Sequence, residues 1–265
     1  MKLDYDFSVK DVSDAYDGPI GLLWEVLMGD HIHVGGEAET KRLADRLGVD
    51  QSTYLLDVCS ALGGPARYLA KNYRSKIVGL DITETMLRKA QERTEAEKLS
   101  NLIEYRRGNA LDIPERSNTF DVVWGQDAWC YITSKERLIE EVVRVCKPGG
   151  KIGFTDWILG STPMSSQEEA DILFEFMIFP NMETIDGYKA LLEKNNCKVI
   201  EVKDLQEDFT KHMHIYLEKV RSIKEDIVKE FGEELYKAAE SGVKAWVEAA
   251  DEKKVSRGLW IAKKL

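Results

Sequence analysis

The chain has 265 residues, 43% of them hydrophobic, ample for a large core in one domain or one domain with a lid. Its net charge of −10 opposes a nucleic-acid surface, which would be basic, and suits a cationic ligand. Cys59, Cys130, Cys146 and Cys197 lie far apart with no C-x-x-C, and His31, His33, His212 and His214 make no metal-ligand spacing with them, so reduced thiols in a cytoplasmic protein without a metal are expected.

The acidic start Met1–Asp6 lacks the apolar core of an export signal, and no run reaches transmembrane length, so no membrane association is expected. Residues 1–50 read as N-terminal helices and a flap. Val12, Tyr16, Ile20, Leu23, Trp24 and Leu27 recur at helical spacing, interrupted by Gly18-Pro19. Met28 to Lys41 reads as a loop feeding a helix. Residues 51–160 alternate: a strand at 53–59, a helix at 64–73, a strand at 76–81, a helix at 83–98 with Thr83 as N-cap, and strands at 103–107 and 120–124. A helix at 134–146 is stopped by Lys147-Pro148-Gly149-Gly150, and a strand follows at 151–156. Residues 161–265 form a lid with the last strands. They hold an apolar helical stretch at 165–195, a strand at 199–205, a charged helical region at 208–249 and a strand at 255–262. This alternation predicts a doubly wound, mostly parallel α/β sheet with helices on both faces.

The chain is organised around Thr53 to Ala70. Tyr54 to Cys59 is an apolar strand except for Asp57, and a carboxylate there is costly unless paired. Gly63-Gly64 permits a tight turn, and Pro65 fits the first turn of a helix. Strand, glycine turn and helix build a nucleotide pocket at the carboxyl end of a first strand. Asp81 ends the next strand, roughly 20 residues past the turn, where such folds hold ribose hydroxyls. The absence of G-x-G-x-x-G counts against NAD.

With those acids at successive strand ends, the pattern resembles class I S-adenosylmethionine-dependent methyltransferases, whose sheet is Rossmann-like and seven-stranded. The stretches Met28–Lys41 and Trp124–Tyr131 resemble small-molecule N-methyltransferases of the sarcosine/dimethylglycine and phosphoethanolamine type. Cys59 and Ala61 stand where the family's D-x-G-x-G-x-G has its first two glycines, and only Gly63 remains. The resemblance implies S-adenosylmethionine as cofactor. Ser60 and Gly63 would lie at its methionine portion, Asp81 at the ribose, Ile82 on the adenine, and Asn109 and Ala110 near the adenine amino group, with Asp57 also among the cofactor-binding residues. Gln126 would adjoin the donor. Asp127 would face the acceptor amine, or else cap a helix. A His common four residues later is Tyr131 here, which is no general base near neutral pH.

Tyr16, Trp24, Trp129, Tyr131 and Trp157 fall near loop ends, where aromatic faces hold a methylated ammonium or simply pack a core. The lid stretch Phe174–Pro180 has no Arg or Lys to grip a phosphate. Arg257 and Lys254 are candidates to hold a substrate carboxylate. The reading is therefore an N-methyltransferase for a small amine of the glycine, sarcosine or dimethylglycine kind. A small-molecule O-methyltransferase, a phosphoethanolamine-type N-methyltransferase and a silent cofactor-binding homologue are the alternatives. Nothing in the sequence sets the oligomeric state.

Overall fold

The computed structural model describes residues 1–265. Seven strands form one sheet: β1 (Tyr54–Val58), β2 (Lys76–Asp81), β3 (Ile103–Arg107), β4 (Phe120–Gln126), β5 (Cys146–Leu159), β6 (Cys197–Asp204) and β7 (Val255–Lys264). Their order is β3-β2-β1-β4-β5-β7-β6. β1 to β5 pair in parallel, and β7 runs antiparallel between β5 and β6. The expected doubly wound sheet is therefore present, and its order reverses beside β1, where such sheets open a crevice at their carboxyl ends.

Helices cover both faces. On one face α3 (Gly36–Leu47) and α4 (Gly64–Tyr73) bury Leu43, Leu47, Ala66 and Leu69 against Leu55, Ile77 and Trp124. On the other, α6 (Lys135–Val145) and α8 (Ile185–Lys194) bury Leu138, Val142, Tyr188 and Leu192 against Val58, Val123 and Trp260. α5 (Glu84–Ala96) follows β2. A further helical cluster gathers α2 (Pro19–Met28), α7 (Gln167–Met177), α9 (Gln206–Ser222), α10 (Lys224–Phe231) and α11 (Glu233–Asp251) around Trp24, Phe174, Phe209 and Trp246. α1 (Val9–Asp17) is held at its start by a reciprocal Ser8–Asp11 capping box, and Gly18-Pro19 separates it from α2. None of these helices is long and apolar enough to cross a membrane.

Four expectations change. The apolar stretch 165–195 is two helices, because Ile178 takes the left-handed conformation (φ 57°) after α7 and Pro180 follows. The charged region 208–249 is three helices, with Gly232 at φ 92° between the last two. Thr83 occupies the N-cap position of α5 but makes no side-chain cap bond; Asp81 Oδ1 accepts the Thr83 N–H instead, at 2.9 Å. Pro148-Gly149 follows α6 as expected, yet Cys146 already pairs with Phe120, so β5 starts earlier than its apolar run suggests.

Candidate active site

The carboxyl ends of β1, β2 and β4 open into a cleft of about 950 Å³. Its floor is the β1–α4 turn. Cys59 (φ 66°), Ala61 (φ 44°) and Gly63 (φ 69°) all adopt left-handed backbone, so the turn keeps a glycine-loop shape with two residues that have side chains. At Gly63 no side chain is tolerated, since a β-carbon there would sit 2.0 Å from Tyr105 Oη. Gly63 thus shapes the floor from behind and does not line the cleft.

Asp57, Ser60, Asp81, Ile82, Asn109, Ala110, Gln126, Asp127, Tyr16 and Tyr131 all line this cleft. Asp57 Oδ2 and Ser60 Oγ are buried without any hydrogen-bond partner. Burial first, then the nearby Asp81 charge, pushes the Asp57 carboxyl up to about 7. An unpaired buried acid facing a cavity is a seat for a cation. Burial also raises Asp81, against the backbone N–H groups that favour its ionised form. Its two oxygens accept from Ala61 N–H and Thr83 N–H, each at 2.9 Å. A carboxylate has about four acceptor sites, so two remain for hydroxyls.

Asn109 lines the cleft, but its Oδ1 accepts the Leu111 N–H at 2.9 Å, closing an Asx turn. The oxygen expected to meet the adenine amino group is therefore already engaged locally. Tyr16 and Tyr131 meet at the cleft's outer wall, hydroxyl to hydroxyl at 2.8 Å, with rings edge to face. Burial raises both phenols above their ordinary range, so both keep their protons and orient rather than deprotonate.

Asp127 is not an open base. Its Oδ1 accepts from Arg257 Nε at 2.7 Å and its Oδ2 from the Val34 N–H at 2.9 Å. Its side chain is 1% exposed and that of Arg257 is 0%. Arg257 Nη2 also donates to Thr155 Oγ1, at 2.9 Å. Asp127 thus ties the flap at Val34 to the last strand. Three aromatic expectations also fail to reach the cleft. Trp129 is fully buried, stacked on Phe154 with its Nε1 toward the Val58 carbonyl. The short turn of helix at Trp129–Tyr131 sends the two rings to opposite sides. Trp24 and Trp157 line a separate apolar void in the helical cluster with Phe176, Met213 and Trp246. Arg257 and Lys254 are equally far from serving a carboxylate, since Lys254 Nζ is held by Glu169 at 2.6 Å and Glu252 at 2.5 Å.

The sequence reading missed His31. It lines the cleft, and its Nδ1 lies 3.1 Å from Thr40 Oγ1. That hydroxyl donates to Gln126 Oε1 at 3.1 Å and also faces His33 Nε2 at 3.0 Å. Thr40 has one proton to give, so the His31 nitrogen facing it donates, and a neutral His31 carries its lone pair on Nε2. Burial lowers the His31 pKa, which keeps the ring neutral near pH 7. The signal available was His31 within Met28–Gly36, the flap stretch, where polar residues meet a site.

Residues 40–154 match the family described as a methyltransferase domain. Residues 40–154 thus carry a methyltransferase domain. The chain is 30% identical to the glycine/sarcosine/dimethylglycine N-methyltransferase of Actinopolyspora halophila, over 93% of this chain and 46% of that protein. It therefore spans about half the length of that relative. Two solved structures share the fold: a putative sarcosine dimethylglycine methyltransferase from Galdieria sulphuraria (TM-score 0.78, 21% identity, 86% of this chain and 85% of that one) and phosphoethanolamine N-methyltransferase 2 of Haemonchus contortus, solved with phosphomonomethylethanolamine and S-adenosylhomocysteine (TM-score 0.88, 23% identity, 97% and 60%).

The orphaned atoms of the cleft fit S-adenosylmethionine. Asp57 Oδ2 and Ser60 Oγ lack partners where a cationic methionine portion would lie, and Asp81 keeps two acceptor sites for ribose hydroxyls. Asp57→Asn tests the seat. Because the native state holds this proton to higher pH than the unfolded chain, its stabilising contribution is present below the ordinary carboxylate range and lost as pH rises toward about 7. The apo wild type should therefore lose melting temperature relative to Asp57→Asn between about pH 5 and pH 8. The same variant should bind S-adenosylmethionine roughly 10-fold more weakly. Parallel melting curves at both pH values would show that Asp57 is paired after all.

Proposed function

We propose that this chain is an S-adenosylmethionine-dependent N-methyltransferase acting on a small amine. The observation that carries the reading is the cleft itself: two acids at the ends of β1 and β2 face a wall that offers two phenol hydroxyls and a neutral imidazole. The acceptors in the relatives' names, glycine, sarcosine, dimethylglycine and phosphoethanolamine, share an amine on a short carbon chain.

S-adenosylmethionine, when bound, supplies an electrophilic methyl group on a sulfonium. The chain's own part is to align the amine, exclude water and leave its lone pair free. Tyr16 and Tyr131 orient the amine through hydroxyls that keep their protons. His31 Nε2 takes the role first read for Asp127, accepting the proton an ammonium must lose before it attacks. Asp127 holds the flap that carries His31 and Val34 in place. The left-handed Cys59 and Ala61 keep the loop's shape, which supports an active enzyme over a silent homologue.

An acceptor screen with methyl-labelled donor, over amines, phosphobases and phenols, tests this. Label should enter an amine nitrogen. Label found only on phenol oxygen would favour the O-methyltransferase reading, to which the apolar wall and Tyr131 lend support.

A further inference from the structure

We propose that the acceptor bears no anionic group, so that the cleft takes a small amine whose other substituents are neutral or cationic. This rests on the amine reading above. Of the 23 residues that line the cleft, none is Lys or Arg, and three are Asp. The rest of the lining is mostly apolar, with Val9, Val12, Ile32 and Ile132 beside the two Tyr hydroxyls. It offers apolar contact and neutral hydrogen bonds, and no charge partner for a carboxylate or phosphate.

The cations nearest in the fold are all committed elsewhere. Arg257 is buried behind Asp127 and Thr155, and its one unpartnered nitrogen, Nη1, faces Glu39 Oε1 at 3.9 Å. Lys135 Nζ donates to the carbonyls of Cys130, at 3.3 Å, and Ile132, at 2.6 Å, and to Asn181 Oδ1, at 2.7 Å. Arg67 donates to the Leu62 carbonyl at 2.6 Å and pairs with Glu97 and Asp30. Each lies behind a wall and serves the backbone or a local acid. An acceptor carboxylate would lose its hydration beside Asp127, whose own charge already holds Arg257, with no cationic side chain in the lining to offset the loss. The His31 ring, held neutral by burial, does not supply the missing charge. An amine with a hydroxyl or alkyl tail meets none of these costs. A second ammonium would be drawn to the acids.

The test compares matched acceptors on the purified full chain with methyl-labelled donor: N-methylethanolamine against sarcosine, which differ in a CH2OH for a carboxylate, with phosphoethanolamine as a third arm. N-methylethanolamine should show a kcat/KM at least 10-fold above either anion. Val12→Arg, which places a cation on the wall, should narrow or invert that ratio. Calorimetric titration of the S-adenosylhomocysteine-loaded protein should rank the same compounds in the same order, whether or not turnover is seen. Sarcosine turned over or bound as well as N-methylethanolamine would overturn the inference. If label enters only phenols, the amine reading falls. The charge inference is then read from 4-hydroxybenzyl alcohol against 4-hydroxybenzoate, where preference for the acid would overturn it too.

Discussion

Replacing Asp127 with Asn should destabilise the protein by about 3–5 kcal/mol, the cost of leaving a buried charge without its partner. The Arg257 guanidinium is fully buried, and Asp127 is the acid it touches, at 2.7 Å. Glu39 Oε1 stands 3.9 Å from Nη1, beyond hydrogen-bond reach, while its Oε2 pairs with Arg42 at 2.6 Å, so it replaces Asp127 only in part. Asn fits the left-handed backbone at this position (φ 53°) as Asp does, which confines the change to the charge. Donor affinity should fall as well, because the Val34 N–H bond that holds the flap is weakened. Chemical denaturation measures the first effect. Adding Arg257→Met to Asp127→Asn should recover most of the lost stability, since removing both charges is far cheaper than removing one. A single Asp127→Asn variant as stable as wild type would mean that the pair does not hold the flap and the last strand together.

The donor half of the site was legible because its signals are local. Asp57 in an apolar strand, the Gly63 turn and Asp81 at the next strand end lie within 25 residues of sequence, and turn chemistry and strand period read them directly. The acceptor half depends on contacts that span the chain. Asp127 and Arg257 are 130 positions apart, so the acid seemed free for catalysis. One local sign existed: Arg257 sits in a strand between Val255 and Leu259, and an inward Arg needs an acid as surely as Asp57 needs a cation. Trp129 reads like a loop-end aromatic, and only the turn of helix at Trp129–Tyr131 shows that its ring enters the core while that of Tyr131 meets Tyr16. The break at Ile178 was hidden because a non-glycine residue took the left-handed cap where sequence offers no glycine.

The central claim is that this cleft seats S-adenosylmethionine on Asp81, with its methyl group facing the tyrosine wall. Titration calorimetry of wild type and Asp81→Ala tests it most directly. The cleft-side acceptor sites of Asp81 contribute hydrogen bonds to a charged group, so the variant should bind the donor about 1.5–3 kcal/mol more weakly, roughly 10- to 150-fold. Asp81 also holds the Ala61 and Thr83 N–H groups, so some loss of melting temperature is expected with the near-ultraviolet circular dichroism of a folded protein retained. Asp81→Asn, which keeps one acceptor for those groups, should show a smaller thermal loss and a similar loss of affinity. Donor affinity equal to wild type in either folded variant would contradict the account.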